Sequence, residues 1–212
     1  MEIILTALDR ELVDAWQKFC GDLPHVRVYQ GSILDVECDA VVSPANSFGF
    51  MDGGIDMLYS NHFGWGIQKQ LQKLIREKHF GELIVGAAEI VGTGNPAIPF
   101  LIAAPTMRVP MLLKETVNPY LAARATLLLV KYGTFPAGPY ESQKIADRVK
   151  RVAFPGLGTG VGHVSPETCA RQVRAAFEEV VKEKNVFPKT WFDAQTRHQR
   201  LYTDQVRDLQ WE

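Results

Sequence analysis

Two carboxyl and amide side chains stand at the ends of one glycine-rich loop: Asn46 and Asp56, ten positions apart. Between them lie Gly49, Gly53 and Gly54. An Asn can donate and accept hydrogen bonds, which suits a sugar hydroxyl. An Asp can take a proton from water. The short run Ala40-Val41-Val42 precedes the loop and reads as a buried strand, and Met57-Leu58-Tyr59 follows as the start of a helix. Glycine lets a backbone approach a ligand closely, and a helix N-terminus offers free N–H groups to an anion. Strand, glycine loop and helix in that order are therefore a phosphate-binding arrangement with a polar residue at each end. A carboxylate beside a bound diphosphate is expected to have a raised pKa from like-charge repulsion, which would bring it toward the range of a general base. Asp56 could instead cap the helix that follows, and Asn46 could instead be a structural residue that caps the loop.

The same design recurs late in the chain. Arg151-Val152-Ala153-Phe154 is a predicted strand, followed by Pro155-Gly156-Leu157-Gly158-Thr159-Gly160-Val161-Gly162-His163-Val164. Ser165 and Pro166 then suit the N-cap and first position of a long helix. Two glycine loops, each ahead of a helix N-terminus, would grip a diphosphate from both sides. The second loop is no dinucleotide fingerprint: its glycine spacing differs, and no acidic residue stands about 20 residues later at a strand end. A dinucleotide-dependent oxidoreductase is therefore the weakest reading. No Ser-His-Asp or Cys-His pattern is present.

Asp39-Ala40-Val41-Val42-Ser43-Pro44-Ala45-Asn46, then Gly53-Gly54-Ile55-Asp56, then Gly158-Thr159-Gly160-Val161, together resemble the macro domain family, whose members bind ADP-ribose. The resemblance extends over roughly residues 1–185. It implies a three-layer α/β/α fold with a mixed central sheet, with residues 186–212 as a C-terminal extension packed on the same domain. It also implies ADP-ribose or an ADP-ribosylated substrate as the partner. Ligand contacts fall at Ser32, Ile33, Ala45, Gly53, Gly54, Ile55, Gly158, Thr159, Gly160, Val161 and Gly162. The spacing from Asn46 to Asp56 resembles the hydrolase (MacroD-type) branch. There the Asp positions or deprotonates a water that attacks the distal ribose, so Asn46 and Asp56 are the expected catalytic pair. The substrates implied are mono-ADP-ribosylated protein, O-acetyl-ADP-ribose or ADP-ribose-1''-phosphate. The alternative is a reader module that binds ADP-ribose or another nucleotide without turnover. No cofactor and no metal are implied.

Three positions depart from the family pattern. Ser32 stands where relatives usually have an Asp that accepts the adenine amino group, so Asp35 or a backbone group would have to supply the acceptor if adenine is the base. Asp52 replaces a glycine and is expected to point outward. Gly162 replaces an aromatic that packs on the distal ribose, which implies a more open pocket with His163 beside it.

The elements that must position these residues follow from periodicity. Strands are predicted at Glu2–Ala7, Val26–Gln30, 39–43, 87–92, 100–106 and 151–154, and the pair 87–92 and 100–106 reads as a hairpin. Helices are predicted over 9–19, 67–79, 118–131 and 166–184, with Asn61–Gly66 interrupting the stretch after Asp56. Trp16 falls on the apolar face of the first helix and reads as core. Lys69, Lys73, Arg76 and Lys78 read as a solvated face, and Arg108 as a loop residue near the ligand rim. Strands alternating with helices give the α/β class.

Composition excludes several classes. With 212 residues, 46% hydrophobic and 22% charged, the chain fits one well-buried domain. A net charge of −1 gives no global electrostatic case for nucleic acid. Cys20, Cys38 and Cys169 form no pair at metal or disulfide spacing and read as small core residues. Ile3-Ile4-Leu5 is too short for a signal peptide core, and no apolar run approaches the length of a membrane span. The expected location is the cytoplasm.

Overall fold

A computed structural model of the chain describes residues 1–44 and 46–207. Ala45, expected at the ligand site, and Trp211, an aromatic of the C-terminal extension, lie outside the described residues. The described elements are, in chain order, β1 (Glu2–Ala7), α1 (Arg10–Cys20), β2 (Val26–Gln30), β3 (Ala40–Ser43), α2 (Gly54–Phe63), α3 (Gly66–Lys78), β4 (Glu89–Gly92), β5 (Phe100–Ala103), α4 (Asn118–Tyr132), α5 (Ile145–Arg148), β6 (Arg151–Phe154), α6 (Pro166–Val180) and α7 (Trp191–Gln199). A 3-10 turn at Ile33–Asp35 links β2 to β3.

The six strands form one sheet in the order β2-β1-β6-β3-β5-β4. Every pairing is parallel except β4 with β5, which makes the sheet mixed. Parallel strands covered on both faces read as continuous apolar runs, and Ala40-Val41-Val42 and Phe100-Leu101-Ile102 are of this kind. Successive strand residues face opposite sides, and the two cores record that alternation. Ile3, Leu5, Val42, Ile102, Val152 and Phe154 pack under α1, α4 and α6. Ile4, Val41, Leu101, Ala103 and Ala153 pack under α2 and α3. The result is the expected three-layer α/β/α sandwich.

Element ends shift for local reasons. β5 stops at Ala103 rather than 106: Ala104 and Thr106 still donate to the Ser43 and Pro44 carbonyls, while Pro105 has no N–H to extend the pairing with β4. α6 ends at Val180, short of the expected 184, and the chain turns through Glu183 at φ 55°. Gly64 at φ 87° separates α2 from α3, at the interruption predicted for 61–66. α7 emerges from a stretch for which the sequence predicts no helix. Thr190 opens it with a capping box, accepting from the Asp193 N–H while the Asp193 carboxylate accepts from the Thr190 N–H. Asp204, beyond α7, is forked by Arg171 of α6. Trp16 is fully buried, and the three cysteines are buried and free. No helix among the described residues is long and apolar enough to cross a membrane.

Candidate functional site

The carboxyl ends of β1, β3 and β6 open into a cleft of about 610 Å³, within the range of small-molecule sites. In an open α/β sheet this is where ligands bind, because the connecting loops diverge there. Both glycine loops meet at it. Asn46, Asp52, Gly53, Gly54, Ile55 and Asp56 line one wall, and Gly156, Gly158, Thr159, Gly160, Val161 and Gly162 another. Ser32 and Ile33 close the β2 end beside Ala7, Leu8 and Asp9. Every described residue predicted to contact a ligand thus lies on this one cleft, although the two loops are about a hundred positions apart in sequence.

The first loop leads directly into α2, and α2 is tied back onto β3. The Tyr59 hydroxyl donates to the Val42 carbonyl of β3 at 3.0 Å, and the Ser60 hydroxyl ties α2 to its own leading loop through the Met51 carbonyl at 2.8 Å. A third tie joins Ser43, the last residue of β3, to Asp56 in the first turn of α2. The Ser43 hydroxyl donates to Asp56 Oδ1 at 2.6 Å. Gly53 precedes the helix with no side-chain cap, so the first N–H groups of α2 are left for whatever occupies the cleft. Asp56 is therefore not the cap.

Asp56 is 3% exposed yet belongs to the cleft wall. Burial pushes its carboxyl up from 3.8 to about 7, against the opposing hydrogen bond from Ser43. The direction is the one the sequence suggests, but the cause differs: removal from water raises it, with no anion needed.

Glycine plays two distinct parts. A Cβ added at Gly53, Gly54 or Gly160 would meet nothing within 4 Å, so at these positions the backbone borders open cleft. Gly162 is different. A Cβ there would lie 2.5 Å from the Gly158 carbonyl oxygen and 2.9 Å from Leu113 Cδ1. The Leu113 N–H also donates to the Gly162 carbonyl at 2.7 Å. A side chain at position 162 would therefore start out against Leu113 and the Gly158 carbonyl, behind the loop. Gly158, at φ 69°, supplies the left-handed turn of that loop.

Other expectations are corrected. Of the two helices that follow the glycine loops, α2 has no side-chain cap and α6 has one. At α6, Ser165 spends its hydroxyl accepting from the Thr168 N–H, and it stands outside the cleft. Asn46 lines the cleft, but its amide anchors the loop: Oδ1 accepts from the N–H groups of Phe48 and Phe50, and Nδ2 donates to the Phe50 carbonyl. Asp52 is exposed, as expected, yet it contributes to the lining. Ser32 caps the 3-10 turn by accepting from the Leu34 N–H, and Asp35 is not on the cleft. Arg108 pairs with Glu82 and lies over the Phe48 ring, away from the lining. His163 is exposed and outside the cleft as well.

Several lining residues escape sequence reasoning. Phe50 is 54% exposed and supplies an aromatic wall. Leu8, Leu58 and Pro110, together with the expected Val161, make the mouth apolar. A lone exposed apolar residue in a loop gives no signal in sequence; the only hint is that Phe50 neighbours Gly49. Among the residues lining the cleft the acids are Asp9, Asp52 and Asp56, with no lysine, arginine or histidine. An anion there would be held by backbone N–H groups and the α2 dipole rather than by side-chain cations.

The geometry defines an open-sheet α/β domain with a nucleotide-sized cleft between two glycine loops. Comparison with known proteins supplies the family. The macro domain family model matches residues 42–173. A macro domain-containing protein from Caldanaerobacter subterraneus subsp. tengcongensis is 34% identical over 152 residues, covering 69% of this chain and 75% of that protein. An uncharacterized protein from Aquifex aeolicus is 34% identical over 157 residues, covering 74% and 81%. This chain belongs to the macro domain family. Its fold is similar to the macrodomain of Mycobacterium tuberculosis DarG, with TM-score 0.56 and 19% identity, covering 71% of this chain and 88% of that one. It is also similar to an Oceanobacillus iheyensis macrodomain mutant with ADPR, with TM-score 0.58 and 19% identity, covering 74% and 77%.

Proposed function

We propose that the cleft binds ADP-ribose and that Asp56 activates water to hydrolyse an ADP-ribosyl linkage. The observation that carries this reading is a buried carboxyl, raised to about 7, in the wall of a cleft that two glycine loops leave open to a phosphate-bearing ligand. A group with a pKa near the working pH combines a useful ionised fraction with real basicity. The Oceanobacillus macrodomain with ADPR and a Trypanosoma brucei macrodomain in complex with ADP-ribose support the ligand. The α2 N-terminus and the backbone around Gly53, Gly54 and Gly160 would take the diphosphate.

In the proposed step the water oxygen bonds to the anomeric carbon of the distal ribose. The bond from that carbon to the leaving oxygen breaks, and the leaving group takes the electron pair. Asp56 accepts the proton released by the water. That step serves mono-ADP-ribosylated protein and ADP-ribose-1''-phosphate, which carry the leaving oxygen on the anomeric carbon. With O-acetyl-ADP-ribose, the third member of the substrate class, the water would instead attack the acetyl carbonyl carbon and the ribose oxygen would leave. The setting is the cytoplasm.

A reader without turnover is the second reading. One observation favours it: the Asn46 amide is committed to its own loop, which limits its use in orienting a ribose. Calorimetric titration with ADP-ribose, against AMP and NAD, tests the ligand. Release of ADP-ribose from an automodified protein separates enzyme from reader. Selective binding with release supports the enzyme, binding without release supports the reader, and no selective binding overturns both.

A further inference from the structure

The contact between Ser43 and Asp56 goes beyond the family motif. Ser43 ends β3 and Asp56 lies thirteen positions later, in the first turn of α2. Both are almost completely buried, at 1% and 3% exposure. A serine at a strand end commonly returns its hydroxyl to nearby backbone. Here it reaches across to another element and donates to a carboxylate at 2.6 Å. That length falls in the range of an O–H donor on an ionised oxygen, below the usual value for a neutral pair. Oδ1 is occupied by this bond, while Oδ2 has no hydrogen-bond partner among the described residues. Asp56 borders the cleft, so the second oxygen is the one available to a water held there.

We propose that Ser43 is a positioning residue for Asp56: its hydroxyl fixes Oδ1, leaves Oδ2 for the cleft and favours the ionised form of the carboxylate. This rests on the reading of Asp56 as the group that handles water. The titratable and charged groups around Asp56 do not duplicate the role. Tyr59, on the same helix, stays neutral because burial raises its pKa well above the ordinary value, and its hydroxyl is given to the Val42 carbonyl. Cys38 lies behind Tyr59, and burial pushes its thiol up to about 12. Asp52, in the preceding loop, and Asp9, at the start of α1, bring only negative charge to the cleft. Ser43 is thus the donor that opposes the burial of Asp56.

The test is direct titration of Asp56 by carbon NMR of aspartate-labelled protein, with the signal assigned from Asp56→Asn. Wild type is compared with Ser43→Ala and Ser43→Thr. A hydrogen bond to a charged group implies a shift of about one pH unit. The Asp56 midpoint should therefore rise by about one unit in Ser43→Ala and return toward wild type in Ser43→Thr, which keeps the hydroxyl. Turnover by Ser43→Ala should fall about five-fold at pH 7, recover by pH 9 and leave KM unchanged, as follows from the smaller ionised fraction. An unmoved midpoint in Ser43→Ala overturns the proposal. So does a Thr variant that folds, by its circular dichroism, but titrates like Ala. The titration needs no substrate, so it decides the role of Ser43 even if wild type shows no turnover. A shifted midpoint with an unchanged rate at pH 7 would instead remove Asp56 as the base and leave Ser43 as its partner.

Discussion

Replacing Asp56 with Asn should make the protein more stable at neutral pH and remove a pH dependence that wild type carries. Asp56 is buried, and its carboxyl is raised from 3.8 to about 7. Between those two values the folded state holds a proton that the unfolded chain has lost. The folded state therefore binds more protons, and stability falls as pH rises through this window. Below about pH 4 both states are protonated and nothing is lost. Above about pH 7 both are ionised, and the folded state carries the full cost of a buried charge. A shift of roughly three units, at about 1.4 kcal/mol each, makes that cost about 4 kcal/mol, of which roughly 3 kcal/mol accrues between pH 5 and 8. Asn keeps the shape and can still accept from Ser43, but it never ionises. Urea unfolding of both proteins at pH 5 and pH 8 measures the effect. Wild type should lose roughly 3 kcal/mol more than Asp56→Asn over that interval, and the variant should be the more stable protein at pH 8. Parallel pH profiles for the two proteins would refute the burial argument. A residue retained at such a cost to stability is what a functional site is expected to contain.

Other substitutions separate the parts of the site. Gly160→Glu should fold normally, since a Cβ there meets open space, and should lose detectable ADP-ribose binding by calorimetry because it puts bulk and charge in the cleft. Gly162→Ala should lower the midpoint of thermal unfolding, because its Cβ would strike the Gly158 carbonyl oxygen and Leu113. Asn46→Ala removes the three hydrogen bonds that hold the first loop and should cost roughly 1–3 kcal/mol in urea unfolding. Phe50→Ala should weaken ligand binding several-fold in calorimetry with little change in stability, as the ring is half exposed and its backbone is held by Asn46.

The sequence made some of this legible and hid the rest for physical reasons. The α/β class and the strands ahead of both glycine loops follow from patterns a few residues long, and the grouping of Ser32, Gly53, Asp56 and Gly160 at one cleft follows from the family resemblance that those patterns carry. Those patterns encode backbone conformation directly. Contacts made across the sheet are not so encoded. Leu113 lies far from Gly162 in the chain, so the filled space behind the second loop could not be foreseen from the missing aromatic. The capping of α6 by Ser165 is a local signal with the wrong consequence drawn from it: a good cap satisfies the helix end and closes it to a ligand. The raised Asp56 carboxyl was expected from charge, whereas burial produces it, and burial is a property of the assembled α2–β3 contact. Ser43 belongs to the segment that carries the resemblance, but its partner gave no signal, because nothing in a short apolar strand says which element its last hydroxyl will meet.

The central claim is that Asp56 works as a base in an ADP-ribose cleft. It is tested most directly by following release of ADP-ribose from a mono-ADP-ribosylated protein across pH 5–9, with wild type and Asp56→Asn, while binding of ADP-ribose is measured on the same samples. The account predicts that the wild-type rate rises through about pH 7, that Asp56→Asn releases nothing measurable, and that both proteins bind ADP-ribose. Full release by Asp56→Asn, or a wild-type rate that does not change across this range, would contradict it.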